Sequence, residues 1–370
     1  MKKALVHDWY YVNGGAEKVI HSINNIWNDF EHYALIDFLS SEDREYIFSG
    51  LSKSVHTSFI QKFPTAKKNH RNLLQLFPKA MEQFDLSSYD LIISSSSSIA
   101  KGVKTNASQT HISYVHAPMR YAWDMSEQYL RDSGNDKGIR GWYARKVLEK
   151  IRKWDVQNTS QVDFLVANSN HIAGKIKKFY NRDSQVIYPP VDVNNFSLEV
   201  SKDNYYLTAS RLVSYKKIDL IVKAFSKLKD KKLIVIGDGP EMNNLKNIAT
   251  RNVEILGRVS NIDLEKYMQK ARAFIFSAEE DFGIIPVEAQ ACGTPVIAYG
   301  KGGALETISN NNSGLFFYEQ SADSILEAVR MFEKVEFDPQ IIRNNSLKFS
   351  KERFESEFKN FVELKMGKRM

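Results

Sequence analysis

Short apolar runs alternate with longer stretches of helical period along the whole chain. In the first half Lys3–His7, Tyr33–Phe38, Leu91–Ser94, Gln109–Val115 and Phe164–Ala167 read as buried strands. In the second half Tyr205–Thr208, Lys232–Ile236, Val253–Leu256, Ala273–Phe276, Pro295–Ala298 and Gly314–Phe317 do the same. Helical stretches such as Ile218–Leu228 and Leu264–Gln269 lie between them. This alternation predicts two α/β domains built on parallel sheets. Tyr188-Pro189-Pro190-Val191-Asp192 forbids a helix and is expected to be the extended connection between them. Beyond Phe349, the residues Phe354, Phe358 and Phe361 form one apolar stripe, which predicts a terminal helix. The serine run Ser94–Ser98 falls where a strand ends, and a helix start with a ligand-facing loop is expected there.

Composition supports this division. The chain has 370 residues, 43% hydrophobic and 26% charged, which suits two globular domains of roughly 150–200 residues. One cysteine, Cys292, excludes an internal disulfide and fits a reducing compartment. It is expected to be a small buried residue near a helix end. The opening stretch reaches Asp8 after three apolar residues, too few for a signal peptide, and is expected to be a strand. No run approaches the roughly 18 apolar residues of a membrane-spanning helix.

The net charge of +7 is unevenly spread: residues 1–185 carry +6 and residues 186–370 carry +1. Residues 46–81 contain six basic side chains and no acid, and residues 137–153 contain seven against Glu149. The second stretch interleaves Trp142, Tyr143, Val147, Leu148, Ile151 and Trp154. A helix there either packs on its domain with a solvated basic face or docks on an anionic membrane surface through Lys137–Lys153.

Five motifs carry candidate chemistry. Gly14-Gly15 follows the first strand; paired glycines there make either a plain tight turn or a positive-φ approach to an anion at a helix start near Ala16. Arg211 and Lys216 follow the strand Tyr205–Thr208, where two cations suit a diphosphate or simply a solvated loop. Gly237-Asp238-Gly239-Pro240 follows Lys232–Ile236, and its missing third glycine argues against a nicotinamide site. Glu280-Asp281-Phe282-Gly283-Ile284-Ile285-Pro286-Val287-Glu288 leads into a helix; the Gly283 amide would be open to a phosphate, and Glu280 and Glu288 can face different parts of one extended ligand. His116, in Tyr114–Asp124, stands among three aromatics and Arg120, as a substrate contact or a structural histidine. No Asp-x-Asp, zinc-type Cys/His cluster or Walker motif occurs.

Together these motifs, in this order, resemble the family-4 retaining glycosyltransferases of GT-B fold over nearly the whole chain. Glu280 and Glu288 resemble the family's E-x7-E pair, Arg211 and Lys216 its spaced cation pair, Gly14-Gly15 its glycine loop, Asn168-Ser169 its Asn-Ser segment, and Gly237–Pro240 its G-x-G-P turn. Lys217 departs from the pattern, since many members have glycine there. The resemblance implies two Rossmann-like, doubly wound domains with a cleft between them. Residues 1–187 would bind the acceptor, residues 188–348 the nucleotide sugar, and a helix within 349–370 would pack back on the first domain. It implies that Glu280 contacts the donor sugar, Glu288 the ribose, Arg211 and Lys216 the diphosphate, and that His116 lies beside the transferred sugar. Gly14, Gly15, Gly239, Phe282, Gly283 and Ile284 are the further expected donor contacts, with no metal or other cofactor required.

The stretches His116–Asp124 and Ser210–Ile218 look closest to bacterial mannosyltransferases of O-antigen, lipopolysaccharide and related polysaccharide assembly. That implies GDP-mannose as donor and a saccharide or polyprenyl-diphosphate-linked acceptor, handled in the cytoplasm or on the inner face of the membrane. Transfer from a UDP-sugar, a GT-B epimerase or phosphorylase, a catalytically silent binder and a basic nucleic-acid-binding protein are the alternatives.

Overall fold

The computed structural model describes residues 1–51 and 53–367. It divides into two compact units: Met1–Pro190 with the segment that starts at Phe354, and Val191–Arg353. The terminal helix runs over Lys351–Gly367; the last three residues of the expected 349–370 segment lie outside those described.

The first unit is built on a parallel sheet. Its strands are β1 (Lys3–His7), β2 (Phe30–Ala34), β3 (Val55–Thr57), β4 (Leu91–Ser96), β5 (Thr110–Val115), β6 (Phe164–Ala167) and β7 (Gln185–Val186). Their spatial order is β3-β2-β1-β4-β5-β6-β7, parallel throughout. The period of two along β1 explains its central place. Ala4 and Val6 enter one core with Ile92, Met81 and Ile151, while Leu5 enters the other with Val19, Ile23 and Ile93. That second core also takes Phe354 and Phe358 of the terminal helix, whose rings lie 5.8 and 6.1 Å from Tyr114.

The second unit repeats the pattern with β8 (Tyr205–Ala209), β9 (Lys232–Ile236), β10 (Val253–Gly257), β11 (Ala273–Phe276), β12 (Val296–Tyr299) and β13 (Gly314–Phe317). Their order is β10-β9-β8-β11-β12-β13. Each sheet therefore reverses its winding once, at β1/β4 and at β8/β11. Doubly wound sheets bind ligands beyond the carboxyl ends of their strands at such switch points.

Several expectations need correction. β2 begins at Phe30, not Tyr33, because its register pairs Lys3 with Phe30. The edge strands β3 and β7 escaped the sequence reading: at three and two residues and largely unburied, they carry no apolar run. The serine run leads into a 3₁₀ turn, Ala100–Gly102, rather than a helix.

Candidate functional site

In the second unit, the loop after β8 is shaped by the glycine turn after β9. A Cβ on Gly237 would stand 1.8 Å from the Ser210 carbonyl oxygen, and one on Gly239 2.3 Å from that of Leu212. Leu212 N–H donates to the Asp238 carbonyl at 2.9 Å, and Glu241 N–H to that of Leu212 at 3.1 Å. Gly237 and Gly239 thus let two loops touch through their backbones. Arg211 is left exposed, with no ion pair among the described residues.

Lys216 ends the 3₁₀ turn Ser214–Lys216. Lys217 follows at φ +57°, the left-handed region, and opens the helix Ile218–Lys227. This is the position at which the sequence departs from glycine. Ser277, just past β11, places its hydroxyl 2.8 and 3.0 Å from the carbonyl oxygens of Lys216 and Lys217. The Lys216 ammonium makes an ion pair with Glu280, both side chains being largely buried.

Glu280 is itself clamped. Gly303 N–H donates to its carbonyl at 2.8 Å. A Cβ on Gly302, at φ +65°, would approach that oxygen to 2.4 Å, and one on Gly303 would approach the Phe282 Cα to 2.3 Å. The Gly302-Gly303 pair, missed in the sequence reading, was signalled there by two adjacent glycines just beyond a strand. Phe282 is buried against Phe349, ring centroids 5.4 Å apart. Gly283 caps the helix Ile284–Ala291 at φ +91°, without a side-chain cap. The first amides of that helix emerge at the β8/β11 switch point, where an anion is favoured. Glu288 is buried within the same helix. Cys292 ends it and is inert: burial pushes its thiol up to about 12.

In the first unit the paired glycines do not adopt positive φ. Gly14 is an extended N-cap at φ −118°, and the helix starts at Gly15 rather than Ala16. The turn is held instead by Glu17, which accepts from Gly14 N–H at 3.1 Å. The other Glu17 oxygen lies 3.2 Å from His7 Nε2. His7 Nδ1 meets the Ser95 carbonyl at 3.1 Å, and Ser95 Oγ meets His116 Nε2 at 2.8 Å. Gly14, Glu17, His7, Ser95 and His116 therefore form one connected line across the β1/β4 switch point and on to β5. Burial alone would lower the pKa of His7; the hydrogen bond and charge of Glu17 outweigh it and raise it.

Asp8 explains the serine loop. Its carboxylate accepts from Ser97 N–H and Oγ at 2.6 and 2.9 Å, and from the Ile99 and Ala100 amides at 2.7 Å each. Behind this loop lies a buried ion pair, Lys101–Asp155, at 2.6 Å and fully shielded from solvent. Lys101 also donates to the Ser98 carbonyl, and Asp155 accepts from Trp123 Nε1 and Tyr180 Oη at 2.8 and 2.7 Å. Asn168 donates to the His116 carbonyl at 2.9 Å, and Ser169 caps the helix Asn170–Tyr180.

The basic segment Lys137–Lys153 lies in a helix, Gly138–Thr159. Its apolar residues divide. Leu148 and Ile151 enter the core, whereas Ile139, Trp142 and Tyr143 are 86, 62 and 52% exposed. Tyr143 Oη donates to Gln75 Oε1 at 2.9 Å, which joins this helix to the other basic stretch, residues 46–81. Among the described residues, no helix is long and apolar enough to cross a membrane, and no cluster of His, Cys, Asp or Glu is arranged to hold a metal ion.

Two doubly wound parallel sheets, each with loops gathered at a switch point, are the architecture of the GT-B class of fold. The crystal structure of Anabaena HepE in complex with UDP and glucose aligns over 98% of this chain and 100% of that one, with a TM-score of 0.70 at 17% identity. Residues 192–349, nearly the whole second unit, match the family Glycosyl transferases group 1, and the chain carries a domain of that family. The alpha-1,3/1,6-mannosyltransferase ALG2 of Saccharomyces cerevisiae is 25% identical over 252 residues, 52% of this chain and 50% of that protein. A GDP-mannose-dependent phosphatidylinositol monomannoside mannosyltransferase of Corynebacterium glutamicum is 36% identical over 115 residues, 27% of this chain and 30% of that protein. The chain spans about half the length of the curated relatives it matches first.

Proposed function

We propose that this protein is a retaining glycosyltransferase that moves mannose from GDP-mannose to a saccharide or lipid-linked saccharide in surface polysaccharide assembly. The observation that carries this reading is the placement of Arg211, the Lys216–Glu280 pair and the open helix start at Gly283 around one switch point. Two cations and free amides suit a nucleotide diphosphate, and a carboxylate beside them suits sugar hydroxyls. Gly14, Gly15, Gly239, Phe282, Ile284 and Glu288 complete the donor set in this reading, Gly239 by shaping the Arg211 loop. The printed donor of the Corynebacterium relative favours GDP-mannose. UDP in the HepE structure favours a UDP-sugar as the second reading.

In the mechanism, the bond between the anomeric carbon and the diphosphate oxygen breaks. Arg211, Lys216 and the amides near Gly283 stabilise the charge that develops on the leaving oxygens, so the protein itself supplies the positive charge. The acceptor oxygen then bonds to the anomeric carbon on the same face, and its proton passes to the departing phosphate. No protein base is required. His116, held by Ser95, orients the transferred sugar. The basic helix Gly138–Thr159 would dock the enzyme on the inner, anionic face of a membrane where a polyprenyl-diphosphate acceptor resides.

A thermal-shift screen with GDP-, UDP-, ADP- and dTDP-sugars tests the donor, because a ligand of the folded state raises apparent stability. Stabilisation by GDP-mannose and transfer to a saccharide are expected. Release of free epimerised sugar would favour an epimerase, and no stabilisation by any nucleotide sugar would sink the reading.

A further inference from the structure

His7 is a buried ring with an acceptor on each side. It closes β1 and is 2% exposed. The sheet register sets it beside Ser95 of β4, whose carbonyl oxygen lies 3.1 Å from Nδ1. A carbonyl only accepts, so Nδ1 carries a proton. Nε2 lies 3.2 Å from Glu17 Oε1, on the helix Gly15–Ile26. An ionised carboxylate also only accepts, so Nε2 carries a proton as well. This bonding describes an imidazolium beside a carboxylate.

The competing arrangement puts the second proton on the Glu17 carboxyl. Three features oppose it. Imidazole is a stronger base than a carboxylate by about two pK units in ordinary peptides. Glu17 stands in the first turn of its helix, where the peptide dipoles favour negative charge, and its Oε2 accepts from Gly14 N–H at 3.1 Å. Asp8 adds a further negative charge near the ring. Burial lowers the pKa of His7, but the Glu17 bond and charge, Asp8 and the Ser95 carbonyl together raise it above 6.5.

The other rings that face His7 titrate elsewhere. Tyr10, 5.0 Å away between ring centroids, is pushed well above 10 by burial and then by the charge of Glu17. His32 of β2 is lowered to about 3 by burial, then by Lys53 and by His7 itself. Neither changes charge between pH 6.5 and 10.

The charge of His7 matters because of what its two partners hold. Glu17 sets the turn at Gly14-Gly15, which meets the donor in the proposed reading. An unbalanced carboxylate there would repel a diphosphate, and His7 cancels it. Ser95 Oγ meets His116 Nε2 at 2.8 Å, and His116 N–H donates to the Ser96 carbonyl at 2.8 Å. A neutral His7 has one N–H for two acceptors, so one end of this line must let go.

We infer that His7 is a positioning residue, held as an imidazolium between Glu17 and Ser95, that keeps the Gly14-Gly15 turn and His116 in their working places. The role rests on the glycosyl-transfer reading; the protonation state does not.

Nitrogen-15 NMR of the whole chain, labelled at histidine, reads the charge state without any turnover. As pH rises, His7 should lose its second ring proton later than free histidine does. Transfer from GDP-mannose, followed over the same range, should fall with a midpoint within about half a pH unit of that titration. Glu17→Gln should bring the loss of the proton at least about one unit earlier. Its amide can donate to a neutral ring and still accept from Gly14 N–H, so the alkaline fall in transfer should disappear. Should Glu17→Gln fail to fold, the agreement of the two parental midpoints decides. A His7 that is neutral as early as free histidine would overturn the imidazolium. Transfer that does not follow the titration, or an alkaline fall unchanged in Glu17→Gln, would overturn the positioning role. Absence of transfer from every nucleotide sugar at every pH would overturn the glycosyl-transfer reading and the positioning role with it, while the NMR titration still judges the imidazolium.

Discussion

The ammonium of Lys216 is paired with the carboxylate of Glu280, which arrives from the far side of the β8/β11 switch point. A lysine so held is positioned before any ligand arrives, and its partner shares its charge. A diphosphate must compete with that carboxylate. Lys216→Ala should therefore weaken nucleotide-diphosphate binding by about 1.5–3 kcal/mol, the scale of a lost charged hydrogen bond. Glu280→Gln should do the opposite to the free nucleotide, binding it as tightly or more tightly, while sugar transfer falls. Parallel titration and turnover measurements check both, and weaker nucleotide binding by Glu280→Gln would refute the competition.

The backbone gives a prediction at three positions, two of them beside this pair. Gly302→Ala places a Cβ 2.4 Å from the Glu280 carbonyl at positive φ, so stability and donor binding should fall together. Lys217→Gly relieves a left-handed lysine and should stabilise the fold by about 1 kcal/mol. Gly174, inside the helix Asn170–Tyr180, has open space around it, and Gly174→Ala should stabilise by about 0.5–1 kcal/mol. Denaturant midpoints rank the three, and a stable Gly302→Ala that binds donor normally would contradict the clamp.

Lys101 and Asp155 form a pair shielded fully from water. Removing one partner strands the other charge in the core. Lys101→Met or Asp155→Asn should cost roughly 3–5 kcal/mol, far more than a surface pair. The double replacement should recover much of that loss, as a double-mutant cycle would show.

His32 and His111 give the fold an acid limit. Burial lowers both from 6.5 to about 3, with Lys53 and then His7 adding repulsion at His32. The unfolded chain takes up these protons near pH 6.5, whereas the folded chain does not until about pH 3. Their stabilisation is full above pH 6.5 and is lost as pH falls toward 3, by about 1.4 kcal/mol per pH unit for each histidine. His7 works in the opposite sense: its raised pKa stabilises fully below 6.5, and that contribution fades as pH rises through the folded value. Urea midpoints between pH 7 and 4.5 should fall, and fall less steeply in His111→Asn.

Exposed Ile139, Trp142 and Tyr143 beside the exposed cations Lys137 and Arg140 predict binding to anionic vesicles that weakens with salt. Trp142→Ser should reduce sedimentation with phosphatidylglycerol vesicles several-fold. Equal binding to neutral vesicles at every salt concentration would rule out the electrostatic docking.

Strands buried on both faces were legible. β1, β6, β9, β11 and β13 have the bounds that their apolar runs suggested, because such strands leave no polar position to blur the pattern. β3 and β7 were not legible, since an edge strand of two or three residues leaves no such signature. In the site, Arg211, Lys216, Glu280 and Gly283 stood out because their spacing is local. His7, Glu17, Asp8 and Ser95 did not. Their bonds join residues as many as 92 positions apart, and only the folded sheet brings them together. The glycine pair at 14 and 15 misled for a related reason: its turn is set by Glu17 rather than by positive φ.

The terminal helix Lys351–Gly367 has a consequence for how the protein comes into being. Phe354 and Phe358 are fully buried in the first unit, although the ribosome makes them after all of the second. The amino-terminal half therefore has part of its core open beside Tyr114 and Trp27 until the later half has been synthesised. Just before that helix, Val191 N–H bonds to the Phe349 carbonyl at 2.9 Å, and Val191 forms an isolated parallel bridge with Ser350. The half that is made first is thus the last whose core can close.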